Sequence, residues 1–381
     1  MKVCLACIIV LLSACSSARK ITAEENFHAT QLKFLGVKEA PFNLPVKGTT
    51  MGGLSSIDYD VANDVYYLVS DDRSAINPAR FYTAKIFIRN DKIDSVAFIN
   101  VTMLRRADGS VYPNSKQDPA HTPDPEGLRY DPYKKQMVWT SEGERIVRGK
   151  DTVLEDPTII TVSKDGKYVD SFPIPDILRM HATEKGPRQN GVLEGISFGD
   201  NYKTLYVNVE EPLYEDGPRA DLQWGKYPAF IRIFKFDVST KQNTAQYAYP
   251  LERIAYPALP ATAFKINGVP DILAVDKDHL IVLERSFSTG RLACTIKIFL
   301  ADLSFGENII GTPGLINNPP KSSVSKKLLL NMDELGIYID NVEGICFGPV
   351  LPNGHRTLVL VSDNNFTELE KTQFFLFEII P

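Results

Sequence analysis

The sequence predicts an all-β fold, a β-propeller of five four-stranded blades, and three observations carry the prediction. One short phrase recurs at a near-constant interval, each copy leads into short apolar segments separated by turn residues, and no long stretch has helical periodicity. The clearest copies are Glu126-Gly127-Leu128-Arg129-Tyr130, Glu194-Gly195-Ile196-Ser197-Phe198 and Glu343-Gly344-Ile345-Cys346-Phe347, with fainter ones at Gly52-Gly53-Leu54 and Pro270-Asp271-Ile272. Anchored on Gly53, Gly127, Gly195, Asp271 and Gly344, the intervals are 74, 68, 76 and 73 residues. Such a period marks a repeat architecture, in which equivalent residues return to one spatial level.

The third copy shows the four strands most plainly: Gly195 to Phe198, Thr204 to Glu210, Phe230 to Val238 and Thr244 to Leu251, rich in β-branched and aromatic residues and bounded by Gly, Asp, Asn or Pro. The first copy repeats the order with Val65 to Asp71, Phe81 to Asn90 and Lys92 to Val101. The last supplies Thr357 to Asp363 and Gln373 to Ile380, and the chain then ends one strand short. His28 to Val37 is expected to come round from the N-terminus as the missing strand, which closes the ring and leaves no long edge unpaired. Six blades remain the alternative if a connector hides another. The best helical segment is a single turn at Asp333 to Ile337. A hydrophobic content of 44% with 16 Tyr and 20 Phe supplies cores between blades, and a net charge of −5 offers no basic stripe for a nucleic acid. A monomer is expected.

Ahead of this domain, assigned to residues 28–381, lies a different kind of segment. Lys2, the apolar run Val3 to Leu12 and then Leu12-Ser13-Ala14-Cys15 have the parts of a secretory signal, here spanning residues 1–14, and the cysteine after small residues resembles a bacterial lipobox. Cys15 would then carry lipid, residues 15–27 would be a tether, and the body would stay in the periplasm or outside, held to the membrane by its lipid anchor alone. Cys4 and Cys7 leave with the signal, so Cys294, placed on a third strand, and Cys346, on an innermost strand, remain as buried inert thiols without a disulfide.

Candidate chemistry starts from the carboxylates. The first strand of each propeller blade lines the central channel, so Glu126, Glu194 and Glu343 are expected to converge on the axis. Desolvated carboxylates in register cannot all stay ionised without compensation. A hard cation, paired arginines or water can supply it. The ends of the second strands add oxygen ligands and bases: Asp71-Asp72-Arg73, Glu142, Glu144-Arg145, Glu210-Glu211, Glu284-Arg285 and Asp363-Asn364-Asn365. Oxygen ligands without a His or Cys cluster favour Ca²⁺, then Mg²⁺, over zinc. The expected site has Glu126, Glu194 and Glu343 as ligands and catalytic groups, with Asp72, Asp363 and Asn364 as further ligands. Arg285 is placed in the catalytic set, and Arg73 and Arg145 hold an anionic substrate. Each of these acids and arginines also has a plain reading, as a turn-capping or ion-paired group.

Gly195-Ile196-Ser197-Phe198-Gly199 matches the nucleophile-elbow pattern, but that pattern needs a strand-turn-helix, and Ser197 holds the place of Arg129 and Cys346 in sister copies. It is read as coincidence. His121 and His181 sit on loops from which either could reach the channel mouth.

Several phrases occur together in a family's order: Asn190-Gly191-Val192-Leu193-Glu194-Gly195 with Glu210-Glu211-Pro212-Leu213, Leu280-Ile281-Val282-Leu283-Glu284-Arg285-Ser286-Phe287, and Asp340-Asn341-Val342-Glu343-Gly344 with Leu360-Val361-Ser362-Asp363-Asn364-Asn365-Phe366. From Gly52 to the C-terminus the chain resembles the bacterial phytase-like family, also called the esterase-like activity of phytase family. The resemblance implies a secreted or periplasmic β-propeller that hydrolyses phosphate or other esters. Two functions follow: a cation-assisted esterase or phosphoesterase of small molecules, or a binding propeller that uses the same mouth without turnover. The Pro-rich connectors Asp118 to Pro125 and Pro257 to Ala261 fit lids or binding loops in either.

Overall fold

The computed structural model describes residues 29–223 and 225–381, so the signal segment, the tether with Cys15, and His28 lie outside the described residues. Five antiparallel four-stranded sheets form the blades. Blade 1 is Leu54–Asp60, Val65–Ser70, Arg80–Arg89 and Lys92–Met103, and blade 2 is Pro125–Asp131, Gln136–Ser141, Thr158–Ser163 and Tyr168–Phe172. Blade 3 is Leu193–Gly199, Thr204–Val209, Phe230–Asp237 and Asn243–Pro250, and blade 4 is Lys265–Ala274, His279–Ser288, Thr295–Asp302 and Ser325–Asn331. Blade 5 takes Asn341–Phe347, Thr357–Asp363 and Thr372–Ile380 from the C-terminus and Gln31–Ala40 from the N-terminus, with Gln31 opposite Ile380 and Ala40 opposite Thr372. The five-blade closure expected from the missing strand is therefore what forms, and the six-blade alternative falls.

Neighbouring inner strands touch in a closed ring, blade 1 to 2 to 3 to 4 to 5 and back to 1. Alternation along each strand sends every second residue into the space between blades. There Val69 and Phe81 pack with Leu128 and Trp139, Ile196 and Phe234 with Ile272 and Val282, and Leu68 and Tyr82 with Val359 and Phe374. Each such buried side chain contributes about 1.5–3 kcal/mol. The single-turn helix expected at Asp333 to Ile337 is a 3₁₀ turn at Met332–Leu335.

One backbone detail explains the repeated phrase. Each inner strand shifts register against its second strand at the same level: between Leu54 and Ser56, Pro125 and Leu128, Leu193 and Ile196, Gly268 and Asp271, and Val342 and Gly344. A bulge re-aims the side chains around it. Just past it, neighbouring inner strands come close enough to exclude a side chain. A Cβ on Gly127 would lie 2.5 Å from the Glu194 carbonyl oxygen, and one on Gly195 2.7 Å from the Asp271 Cα. The glycine after the glutamate is thus a packing requirement. In blade 1 this register puts Ser56, not Gly53, at the anchor position.

Candidate functional site

The common register builds the site. Ile57, Leu128, Ile196, Ile272 and Ile345 face Leu68, Trp139, Val207, Val282 and Leu360 across the inner ladder. Two residues before them stand Ser55, Glu126, Glu194, Pro270 and Glu343; three residues beyond their partners stand Asp71, Glu142, Glu210, Arg285 and Asp363. The channel mouth therefore carries three glutamates on one ring, and four acids with a single arginine on the other. Glu126, Glu194 and Glu343 line one cavity of about 500 Å³ together with Asp71, Glu210, Glu211, Asp340 and Glu370, eight carboxylates against Arg219 and Arg285.

Burial dominates the electrostatics. It pushes the carboxyls of Asp71, Glu126, Glu194 and Glu343 well above the usual carboxylate range, and the neighbouring acids add to the shift. Burial also raises Glu142 to about 8 and Asp124 and Asp363 to about 7. The charge of neighbouring Glu142 adds to the rise at Glu194. Arg285 spans the mouth, with one guanidinium nitrogen 2.6 Å from Glu343 Oε1 and the other 2.5 Å from Glu210 Oε1. Burial opposes the charge on Arg285, but Glu210 and Glu343 override it and raise its pKa.

Among the described residues, one group of carboxylates is close enough to share an ion: Asp124, Glu126 and Glu142, all buried, have ligand oxygens within 4.8 Å of one another. The donor set is all oxygen, with no His or Cys. Such a set suits a hard cation. Asp363, 1% exposed and not one of the three, has a buried Oδ2 with no hydrogen-bond partner.

The predicted residues divide. Glu126, Glu194, Glu343 and Arg285 meet at one mouth. The tight triad, however, takes Asp124 and Glu142 beside Glu126, while Glu343 is already held by Arg285 and Asn341. Asp72 is a correction: its carboxylate accepts from the Ala75, Ile76 and Asn77 amides and pairs with Arg80 at 2.8 Å, so Asp71 faces the cavity in its stead. Asn364 is another, its Oδ1 accepting from the Gly53 and Phe366 amides as a turn brace. Arg145 donates to the His181 and Thr183 carbonyls and stacks on Tyr214, away from the cavity lining. Arg73 pairs with Glu144 and lies 3.7 Å from Asp124, so it neutralises acids behind the mouth. Neither His121, exposed and bonded to Asp118, nor His181 lines the cavity. Ser197 accepts from the Ala274 amide between blades 3 and 4, as a strand residue would. Cys294 precedes the third strand of blade 4 rather than lying on it; both it and Cys346 are buried free thiols. Asp124 escaped the sequence reading because it lies two residues ahead of the phrase, in Pro123-Asp124-Pro125, where it reads as a turn residue.

Beyond the acid ring, Arg129 fills the channel. It donates to Ser56 Oγ and the Ile57 carbonyl on blade 1, to both Asp271 oxygens and the Ile272 carbonyl on blade 4, and to the Ile345 carbonyl on blade 5. Asp271 also accepts from the Ile272 and Ile345 amides; burial pushes its carboxyl up to about 6 against the pull of Arg129.

Solved structures of similar shape include α-L-arabinofuranosidase from Lactobacillus brevis, at 11% identity and a TM-score of 0.44 over 86% of this chain and 91% of that one. The periplasmic gluconolactonase of Pseudomonas aeruginosa matches at 10% identity and 0.35 over 87% and 90%, and a protein of unknown function from Dyadobacter fermentans at 10% and 0.39 over 91% and 100%. No curated protein matches the chain. Residues 49–366 match the model of the phytase-like family, described as esterase-like activity of phytase, and the chain belongs to that family.

Proposed function

We propose that the chain is an exported, lipid-anchored hydrolase of phosphate or other esters that works at the channel mouth with a divalent cation, Ca²⁺ ahead of Mg²⁺. The observation that carries this reading is the buried triad Asp124, Glu126 and Glu142 at the edge of the 500 Å³ cavity. Those three residues would hold the ion, with Glu194 beside them, and Ca²⁺ tolerates such an irregular carboxylate set better than Mg²⁺ does. When bound, the ion would polarise an ester oxygen and lower the pKa of water. Glu194 would move the proton, a role supported by burial and Glu142, which raise its carboxyl above the usual range. Arg285, in the cavity lining, pairs with Glu210 and Glu343 and would hold them in position.

The test is turnover of phosphate monoesters and carboxylate esters by purified protein, with Ca²⁺ and with chelator. Ca²⁺-dependent hydrolysis that falls by about 10²-fold or more in Glu194→Gln supports the reading. No turnover of any ester overturns it in favour of a binding propeller. One observation favours that second reading: among the described residues, the cavity lining holds no Ser, Thr or His, and burial pushes its one thiol, Cys294, up to about 12. The anchor is tested separately. Cys15→Ser is expected to release the protein from the membrane fraction, and unchanged membrane association would refute lipidation.

A further inference from the structure

Blade 4 breaks the pattern of its sisters at the mouth. Its inner and second strands are 10 residues each, against 7 and 6 in blades 2 and 3. The surplus lies before Val269 on one strand and after Glu284 on the other, so the hairpin overruns the acid ring by about three residues, roughly 10 Å at about 3.3 Å per residue. The overrun brings apolar side chains to the cavity wall where the ring is acidic. Ile266 pairs with Phe287, and the Phe287 and Phe264 ring centroids lie 6.2 Å apart. The Thr289 amide donates to the Phe264 carbonyl, which fixes the loop that presents the ring. These three side chains and Leu292 line the cavity, and two of the four are open to water, Phe264 at 54% and Leu292 at 80%. Large apolar side chains left exposed on one wall of a charged cavity mark a place for an apolar part of a ligand.

The opposing charge narrows the class. Both cavity arginines are engaged, Arg219 by Glu211 and Arg285 by Glu210 and Glu343, so the remaining carboxylates of the lining have no arginine partner. With a cation bound the carboxylates give up their protons, and a ligand carrying many negative charges would then meet repulsion that one cation does not offset. We propose that the mouth selects esters bearing a flat apolar group of aryl size, seated on Phe264, Phe287 and Leu292, and disfavours multiply phosphorylated polyols. The proposal rests on the ester-hydrolase reading for turnover, but not for binding.

The experiment uses two arms on the full chain with Ca²⁺ present. The first compares kcat/KM for 2-naphthyl and methyl esters of phosphate and of butyrate, and for inositol hexakisphosphate. The second measures binding of 2-naphthylmethylphosphonate against methylphosphonate by calorimetry. The naphthyl preference is expected in both arms and should fall by roughly tenfold or more in Phe264→Ala and Leu292→Ala, with Phe264→Tyr restoring most of it. Both positions are exposed, so these variants should keep the wild-type melting temperature. Phe264-dependent naphthyl binding without any turnover supports this proposal while sinking the hydrolase reading. Absence of the preference in both arms, its persistence in both alanine variants, or faster turnover of inositol hexakisphosphate than of 2-naphthyl phosphate would overturn it.

Discussion

Three residues apart on the inner strand of blade 2, Glu126 and Arg129 meet opposite surroundings. At the level of Arg129 the fold supplies its own counter-ion: Asp271 crosses the channel from blade 4, and its oxygens are taken up by the guanidinium and two backbone amides. At the level of Glu126 the same five-fold convergence gathers acids with too few bases, and burial with mutual repulsion raises their carboxyls above the usual range. A closed network of this kind stabilises a unique packing, whereas an open one leaves free energy to be gained from outside. The difference separates the structural end of the channel from the end that can bind.

The comparison is broken most forcefully at the closed level. Arg129→Met should cost about 3–5 kcal/mol in urea unfolding, because it leaves Asp271 buried and unpaired. The double variant Arg129→Met, Asp271→Leu should recover much of that loss. A cost under about 1 kcal/mol for the single change would mean that the pair is not closed.

At the open level the largest expected effect is a gain on adding cation. Ca²⁺ at a hundred times its dissociation constant should stabilise the fold by about 2.7 kcal/mol relative to chelator. Glu126→Gln and Glu142→Gln should lose most of that gain, and Glu343→Gln less, since Arg285 already holds Glu343. Thermal melts checked by calorimetry decide this, and equal losses in all three would restore Glu343 to the ligand set.

The pH dependence sharpens the same contrast. Asp124 and Asp363 sit near 7 and Glu142 near 8, all above their unfolded values of about 4. Folding therefore takes up protons: their stabilising contribution is full below about pH 4 and is lost as pH rises through 7 to 8. Cation binding displaces those protons, so the Ca²⁺-induced melting shift should be larger at pH 8 than at pH 5. A shift independent of pH would remove these acids from the cation site.

The smallest effect is expected at Ser197, outside both levels. Ser197→Ala loses one hydrogen bond to the Ala274 amide, about 1 kcal/mol, and should leave turnover and resistance to serine-directed phosphonates unchanged. Specific labelling of Ser197 would instead place the chemistry between blades 3 and 4.

The elements most legible in the sequence were those set by local physics. Alternation and turn residues marked the strands, the Glu-Gly phrase marked the inner ladder, and the shortfall of one strand at the C-terminus pointed to His28 to Val37 as its partner, where the strand that forms is Gln31–Ala40. The site was legible to the same depth. Glu126, Glu194, Glu343 and Arg285 could be expected together because a periodic phrase returns them to one axis, and they line one cavity.

What only the tertiary structure decided was where each neighbouring carboxylate points. Asp71 and Asp72 are adjacent in the chain, yet one faces the cavity and the other is spent on Arg80, because successive side chains at a strand end diverge and a partner distant in sequence claims one of them. Asp124 joins the triad from the connector just ahead of the repeated phrase, and Asp271 crosses to Arg129, 142 residues away. Local pattern determines which residues return to the axis. The pairing of charges across the axis depends on distances that only the closed ring creates, since a desolvated acid takes whichever base, amide or shared proton lies within reach.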